Sequence, residues 1–179
     1  MTTRRDFLKT MTMASAGFAL GACDILANPT FASQRKITDK VKIAYVGIGN
    51  RGEQIIGDFA RTGMVEVVAL CDVDMGAPHT QKVMNLYPKA KRFRDFRQMF
   101  DKAGNEFDAV AIATPDHSHF PISMLALASG KHVYVEKPLA RTFYEGELLM
   151  QAALKRPNLV TQVGNQGHSE ANYFQFKAW

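Results

Sequence analysis

"VKIAYVGIGNRG" (Val41–Gly52) decides the fold. Val41 to Val46 form an apolar run of strand length, and the segment after Gly52 carries Ile55, Ile56 and Phe59 on one helical face. Between them Gly47, Gly49 and Gly52 stand in G-x-G-x-x-G spacing. Alone the spacing is weak: a plain tight turn uses glycines, and S-adenosylmethionine sites show a similar pattern. Between a strand and a helix it has a mechanism. Gly47 makes the tight turn, Gly49 lets a pyrophosphate approach the backbone, and Gly52 lets the helix pack close to the strand. The helix N-terminus presents its free N–H groups to the anion. Arg51 either adds a charge there or points to water.

Downstream the strand–helix pattern repeats. "VEVVALC" (Val65–Cys71) is a second strand, followed by a helix from Ala77 to Tyr87 and a short "KRF" ending at Phe93. Asp95 caps the next helix, which Gly104 ends. "AVAIA" (Ala109–Ala113) has no polar residue, as a strand buried on both faces requires. Pro121 marks the first turn of another helix, Gly130 follows its end, and "HVYV" (His132–Val135) comes next. Thr142-Phe143-Tyr144-Glu145 has the form of a capping box, and "LVTQV" (Leu159–Val163) is the sixth strand. Six strands alternating with helices predict an α/β fold: a doubly wound parallel sheet of the Rossmann type.

Asp72 lies directly after the second strand, 20 positions beyond Gly52. A carboxylate there accepts hydrogen bonds from adenosine ribose hydroxyls and repels a 2′-phosphate, which favours NAD over NADP. The plain alternative is a turn or N-cap aspartate.

Ligands of such sheets bind beyond the carboxyl ends of the strands. "TPDHSHF" (Thr114–Phe120) and "EKPLA" (Glu136–Ala140) fall there, after the fourth and fifth strands. Pro138 disfavours helical geometry at Lys137, which therefore stays at a strand tip. A lysine so placed hydrogen-bonds a substrate hydroxyl and takes or relays its proton as hydride leaves the carbon. The competing reading is a solvated lysine paired with Glu136 or another acid. His117 and His119 have only Asp116 nearby as a further metal ligand, so a cofactor-facing loop is preferred to a metal site. His79, His132 and His168 carry no constellation. "PKAKRFRDFRQMF" (Pro88–Phe100) is basic and aromatic, but Phe93, Phe96 and Phe100 have core-like spacing, which argues against nucleic acid.

The N-terminus has another character. Arg4, Arg5 and Lys9 precede an uncharged apolar run from Met11 to Ala22, too short for a membrane span of about 20 residues. It has the dimensions of a signal-peptide core. Thr3-Arg4-Arg5-Asp6-Phe7-Leu8-Lys9 resembles the bacterial twin-arginine export motif. Leu20-Gly21-Ala22-Cys23 resembles a lipobox, which would make Cys23 a lipid anchor; cleavage after Ala32 would instead release a soluble protein. Both place the chain in the periplasm. The expected organisation is a leader over 1–32, a linker over 33–40, a dinucleotide-binding domain over 41–166, and over 167–179 the start of a further, truncated domain.

Composition fits one soluble globular domain behind that leader, at 46% hydrophobic and 22% charged residues. A net charge of +5 selects no partner class. Cys23 and Cys71 are the two cysteines, so no disulfide framework supports the fold, and Cys71 reads as a buried thiol at a strand end.

"KIAYVGIGNRG", "CDVD", "ATPDHSHF", "VEKPLA" and "QVGNQ" in this order resemble the Gfo/Idh/MocA family, from about Lys42 to Gln166. The resemblance implies a nicotinamide-dependent oxidoreductase of sugars or cyclitols, with a Rossmann domain followed by a larger α/β domain that carries further catalytic residues and the oligomer contacts. It implies that Gly47, Gly49, Asn50, Arg51 and Gly52 surround the pyrophosphate and that Asp72 holds the ribose. Thr114, Pro115, His119 and Glu136 would line the nicotinamide side, and Lys137 matches the family's catalytic lysine. Relatives that hydrolyse glycosides with NAD tend to lack that lysine, so Lys137 favours the oxidoreductase. A nucleotide-binding module without catalysis is the remaining alternative. "SEANYFQFKAW" looks like the first helix of the second domain, so the chain is expected to bind nucleotide with little turnover.

Overall fold

The six strand segments read from Val41 onward all join a single sheet. The computed structural model describes residues 40–165, 167 and 171–178. The leader over 1–32 with Arg4, Arg5 and Cys23, the linker to Asp39, Gln166 and His168 lie outside the described residues. In chain order the elements are β1 (Val41–Val46), α1 (Arg51–Arg61), β2 (Val65–Cys71), α2 (Pro78–Leu86), β3 (Lys91–Phe93) and α3 (Phe96–Ala103). Then follow β4 (Ala109–Ile112), α4 (His119–Ala128), β5 (His132–Glu136), α5 (Phe143–Leu154), β6 (Thr161–Gly164) and α6 (Ala171–Ala178). Short 3₁₀ turns at Gly104–Glu106 and Asp116–Ser118 precede β4 and α4.

The strand order is β3-β2-β1-β4-β5-β6, with every neighbouring pair parallel. After β3 the chain returns across the sheet to place β4 beside β1. The winding direction reverses there, which opens a crevice at the carboxyl ends of β1 and β4.

Side-chain alternation distributes the strands over two cores. Ala44, Val46, Cys71, Val110, Ile112, Val133 and Val135 pack with Met99 and Phe100 of α3, Ile122 and Leu127 of α4, and Leu149 of α5. Ile43, Tyr45, Leu70 and Ala111 pack on the other face with Ile55 and Ile56 of α1 and Val83 and Met84 of α2. Phe100 is buried and Phe93 and Phe96 pack against the first core, so the aromatics of the basic stretch are structural on at least one side.

Local signals set the helix starts. The Asp95 carboxylate accepts the Arg97 N–H at 2.8 Å. Thr142 and Glu145 close the capping box reciprocally at the start of α5. The sixth strand differs from its expected span of Leu159–Val163. A turn in which Leu159 N–H donates to Arg156 O draws Leu159 against the core, and pairing begins at Thr161. It then runs on to Gly164, opposite Glu136, so that β5 ends with the glutamate in the sheet and Lys137 just outside it.

Candidate functional site

The glycine loop is held down from several sides. Gly47 N–H donates to Cys71 O at 2.9 Å, and Gly47 takes φ +81°, where a β-carbon would stand 2.6 Å from the Ala113 carbonyl. A β-carbon on Gly52 would fall 2.0 Å from Gly47 O, so α1 sits against the loop at a distance only glycine permits. Asn50, the residue before α1, has φ +44° and ψ −100°, outside the left-handed helical region and in a conformation that side-chain-bearing residues rarely adopt.

Asp72 ties two loops together. Its Oδ2 accepts the Ile48 N–H at 2.9 Å and its Oδ1 accepts the Asp74 N–H at 3.0 Å. A carboxylate offers about four acceptor positions, so two stay available for ribose hydroxyls. The turn-aspartate role and the ribose role are therefore compatible on one side chain.

A cleft of about 590 Å³ opens beyond β1, β2 and β4, bordered by Gly47, Gly49, Asn50, Asp72, Thr114 and Pro115. His79, Arg94, Phe96 and Arg97 complete its far wall. Spacing along the chain gave no sign of these four. The rule that ligands sit beyond the carboxyl ends of strands would have found them, since His79 opens the helix after β2 and the other three come just after β3. Cys71 also borders the cleft; burial, with Asp72 and Asp95 adding to it, pushes its thiol up to about 12.

The cradle fits a dinucleotide. Glycines stand where side chains would crowd the anion, a helix N-terminus faces the loop, and the Thr114 hydroxyl on the cleft wall is buried without a hydrogen-bond partner. When bound there, NAD supplies a two-electron hydride acceptor.

The remaining site residues gather at the tip of β5. Glu136 is 4% exposed, and its Oε1 accepts from Arg51 Nε at 3.1 Å, Arg51 Nη2 at 2.9 Å and the Tyr134 hydroxyl at 3.2 Å. The hydrogen bond to Glu136 raises the Arg51 pKa; burial first, and then the Glu136 charge, raises that of the Tyr134 phenol. Arg51 thus spans from α1 to β5, a use that neither reading of the sequence contained. Lys137 follows on an exposed turn whose Lys137–Pro138 peptide is cis. His119 is 1% exposed, with Nδ1 2.6 Å from Pro138 O and Nε2 2.9 Å from Thr114 O. Its ring binds the loop after β4 to the loop after β5, and Pro115 stands exposed on the cleft rim. Among the described residues no group of three or more His, Cys, Asp or Glu side chains is placed to hold a metal ion. Among the same residues no helix is long and apolar enough to cross a membrane.

Strand order, glycine loop and cleft define a Rossmann-type dinucleotide-binding domain. The chain belongs to the Gfo/Idh/MocA oxidoreductase family, NAD-binding Rossmann fold, whose model matches residues 41–164. It is 29% identical over 160 residues to glycosyl hydrolase family 109 protein 2 of Shewanella sp. (strain ANA-3), covering 79% of this chain and 35% of that one. It is also 29% identical over 161 residues to an alpha-N-acetylgalactosaminidase of Shewanella oneidensis, with the same coverage. The crystal structure of scyllo-inositol dehydrogenase from Lactobacillus casei with bound NAD(H) and scyllo-inositol superposes at a TM-score of 0.68 and 27% identity, covering 78% of this chain and 40% of that one. The chain therefore spans well under half the length of these relatives, and the part it spans is the NAD-binding domain of the family.

Proposed function

We propose that the chain is the cofactor-binding half of an NAD-dependent oxidoreductase acting on a sugar or cyclitol hydroxyl. The observation that carries this reading is Lys137, exposed at the carboxyl edge of the sheet between buried Glu136 and exposed Pro138. In this reading the glycine loop with Asn50 holds the diphosphate, Asp72 holds the adenosine ribose, and Thr114 and Pro115 bound the nicotinamide end. Lys137 hydrogen-bonds the substrate hydroxyl and takes its proton as the carbon gives up hydride. Arg51 and Glu136 fix the strand tip that presents the lysine, and His119 fixes the adjoining loop. The chain alone is expected to bind NAD with little turnover, and turnover is expected once a substrate-binding half is present. A panel of polyols assayed for reduced nicotinamide, with and without Lys137→Ala, tests this. Product that persists in Lys137→Ala, at unchanged NAD affinity, removes the lysine from the chemistry.

A second reading, NAD-dependent glycoside hydrolysis, is favoured by the names of the two Shewanella relatives. It predicts release of an aryl leaving group from a chromogenic N-acetylgalactosaminide with no net accumulation of reduced cofactor.

The basic, apolar leader from Thr3 to Cys23 supports export by the twin-arginine route to the periplasm, with Cys23 as lipid anchor or with cleavage after Ala32. Free NAD should be scarce there, so the cofactor would be bound before export and regenerated in place. Protein purified from the periplasm without nucleotide, and binding NAD only weakly, would count against this.

A further inference from the structure

Gly49 is the glycine whose missing β-carbon leaves room for a pyrophosphate at the backbone. In this structure that room holds a side chain. An ideal β-carbon on Gly49 would fall 2.3 Å from His79 Cδ2 and 2.8 Å from His79 Nε2, closer than such contacts allow. The imidazole therefore stands in the space that the glycine keeps clear for the anion. His79 is exposed in the first turn of α2, directly after Pro78. Other staggered rotamers about its Cα–Cβ bond are therefore open to the ring.

We infer that His79 is a gate on the diphosphate seat: its ring covers Gly49 until a dinucleotide displaces it. This rests on the assignment of the cleft to NAD. A ring that occupies the seat for most of the time lowers the fraction of chains ready to bind, and the apparent dissociation constant rises by the inverse of that fraction. The gate acts on the diphosphate and not on the ribose, so it affects NAD, NADP and ADP-ribose alike. Choice between NAD and NADP stays with Asp72.

The test is a titration of the 179-residue chain with NAD, ADP-ribose and adenosine, for the parent, His79→Ala and His79→Phe. His79→Ala is expected to bind NAD and ADP-ribose more tightly by the same factor, about 3- to 10-fold. His79→Phe, which keeps a flat ring in the seat, is expected to stay within about twofold of the parent. Adenosine, which lacks the diphosphate, should bind all three equally. In NMR spectra the imidazole C–H signal absent from His79→Ala should shift when ADP-ribose is added to the parent. Unchanged or weaker NAD binding by His79→Ala overturns the gate, as does an equal gain for adenosine. A parent chain that binds none of the three overturns the cofactor assignment and the gate with it, whereas parent binding with no gain in His79→Ala overturns the gate alone.

Discussion

Arg51, at the start of α1, reaches across the sheet to Glu136 at the end of β5, and both Nε and Nη2 donate to one carboxylate oxygen. The two residues lie 85 positions apart. Arg51 is a third exposed while Glu136 is buried, so water softens the loss of the carboxylate more than the loss of the guanidinium. Glu136→Ala is expected to cost about 1–3 kcal/mol of stability, and Arg51→Ala more, because it leaves a buried charge unpaired. Glu136→Gln, which keeps an acceptor for Tyr134, should fall between the parent and Glu136→Ala. Urea unfolding of the four proteins checks the order.

The glycines of the loop separate folding from binding. A methyl group on Gly52 meets the carbonyl oxygen of Gly47, which is backbone and cannot yield. Gly52→Ala should therefore destabilise the domain by about 3 kcal/mol and abolish NAD binding with it. The atoms nearest to a methyl group on Gly49 belong to the His79 ring, a side chain and not backbone. Gly49→Ala should fold within about 1 kcal/mol of the parent yet lose NAD affinity by about tenfold or more, because the methyl obstructs the diphosphate. Thermal unfolding beside NAD titration distinguishes the two. Equal stability losses would contradict the geometry.

What the sequence revealed and what it hid follow from range. Val41–Val46 and Val65–Cys71 are strands at the predicted bounds, because an apolar run between two turns is a local signal. Asp95 and the Thr142–Glu145 box were legible for the same reason. The shift of β6 came from a turn at Arg156–Leu159 that no apolar pattern encodes. Through-space relations were hidden altogether. Nothing along the chain pairs Arg51 with Glu136, sets the His119 ring between Thr114 O and Pro138 O, or lays His79 on Gly49.

Asp72 holds two backbone N–H groups, and in the proposed reading it also holds the ribose; substitutions can divide these tasks. Asp72→Ala removes the acceptor of both the Ile48 and the Asp74 N–H groups and should cost about 1–3 kcal/mol, together with a loss of NAD affinity. Asp72→Asn keeps one acceptor oxygen and removes the charge. Its amide nitrogen then faces the second N–H donor, so its stability should fall between that of the parent and of Asp72→Ala, while affinity for NADP relative to NAD rises by about tenfold as repulsion of the 2′-phosphate disappears. Competition between the two cofactors measures this ratio. An unchanged ratio would remove Asp72 from the ribose end.

Cys71 gives a prediction in pH. It is 2% exposed, and burial pushes its thiol from an ordinary value near 9 up to about 12. In a Cys23→Ser background, alkylation of Cys71 at pH 8 should be at least about 100-fold slower in the folded chain than in urea, because the thiolate is the reactive form. The same shift carries a stability consequence. Below about pH 9 the thiol is neutral in both states and the full stability is present. As pH rises further the unfolded chain ionises first, so the fold loses stability until the buried thiol also ionises near 12. Cys71→Ala should remove that part of the alkaline slope while costing about 1 kcal/mol or more at neutral pH for the space it leaves. If the unfolding midpoints of the parent and Cys71→Ala fall in parallel above pH 9, the thiol is not the group that titrates.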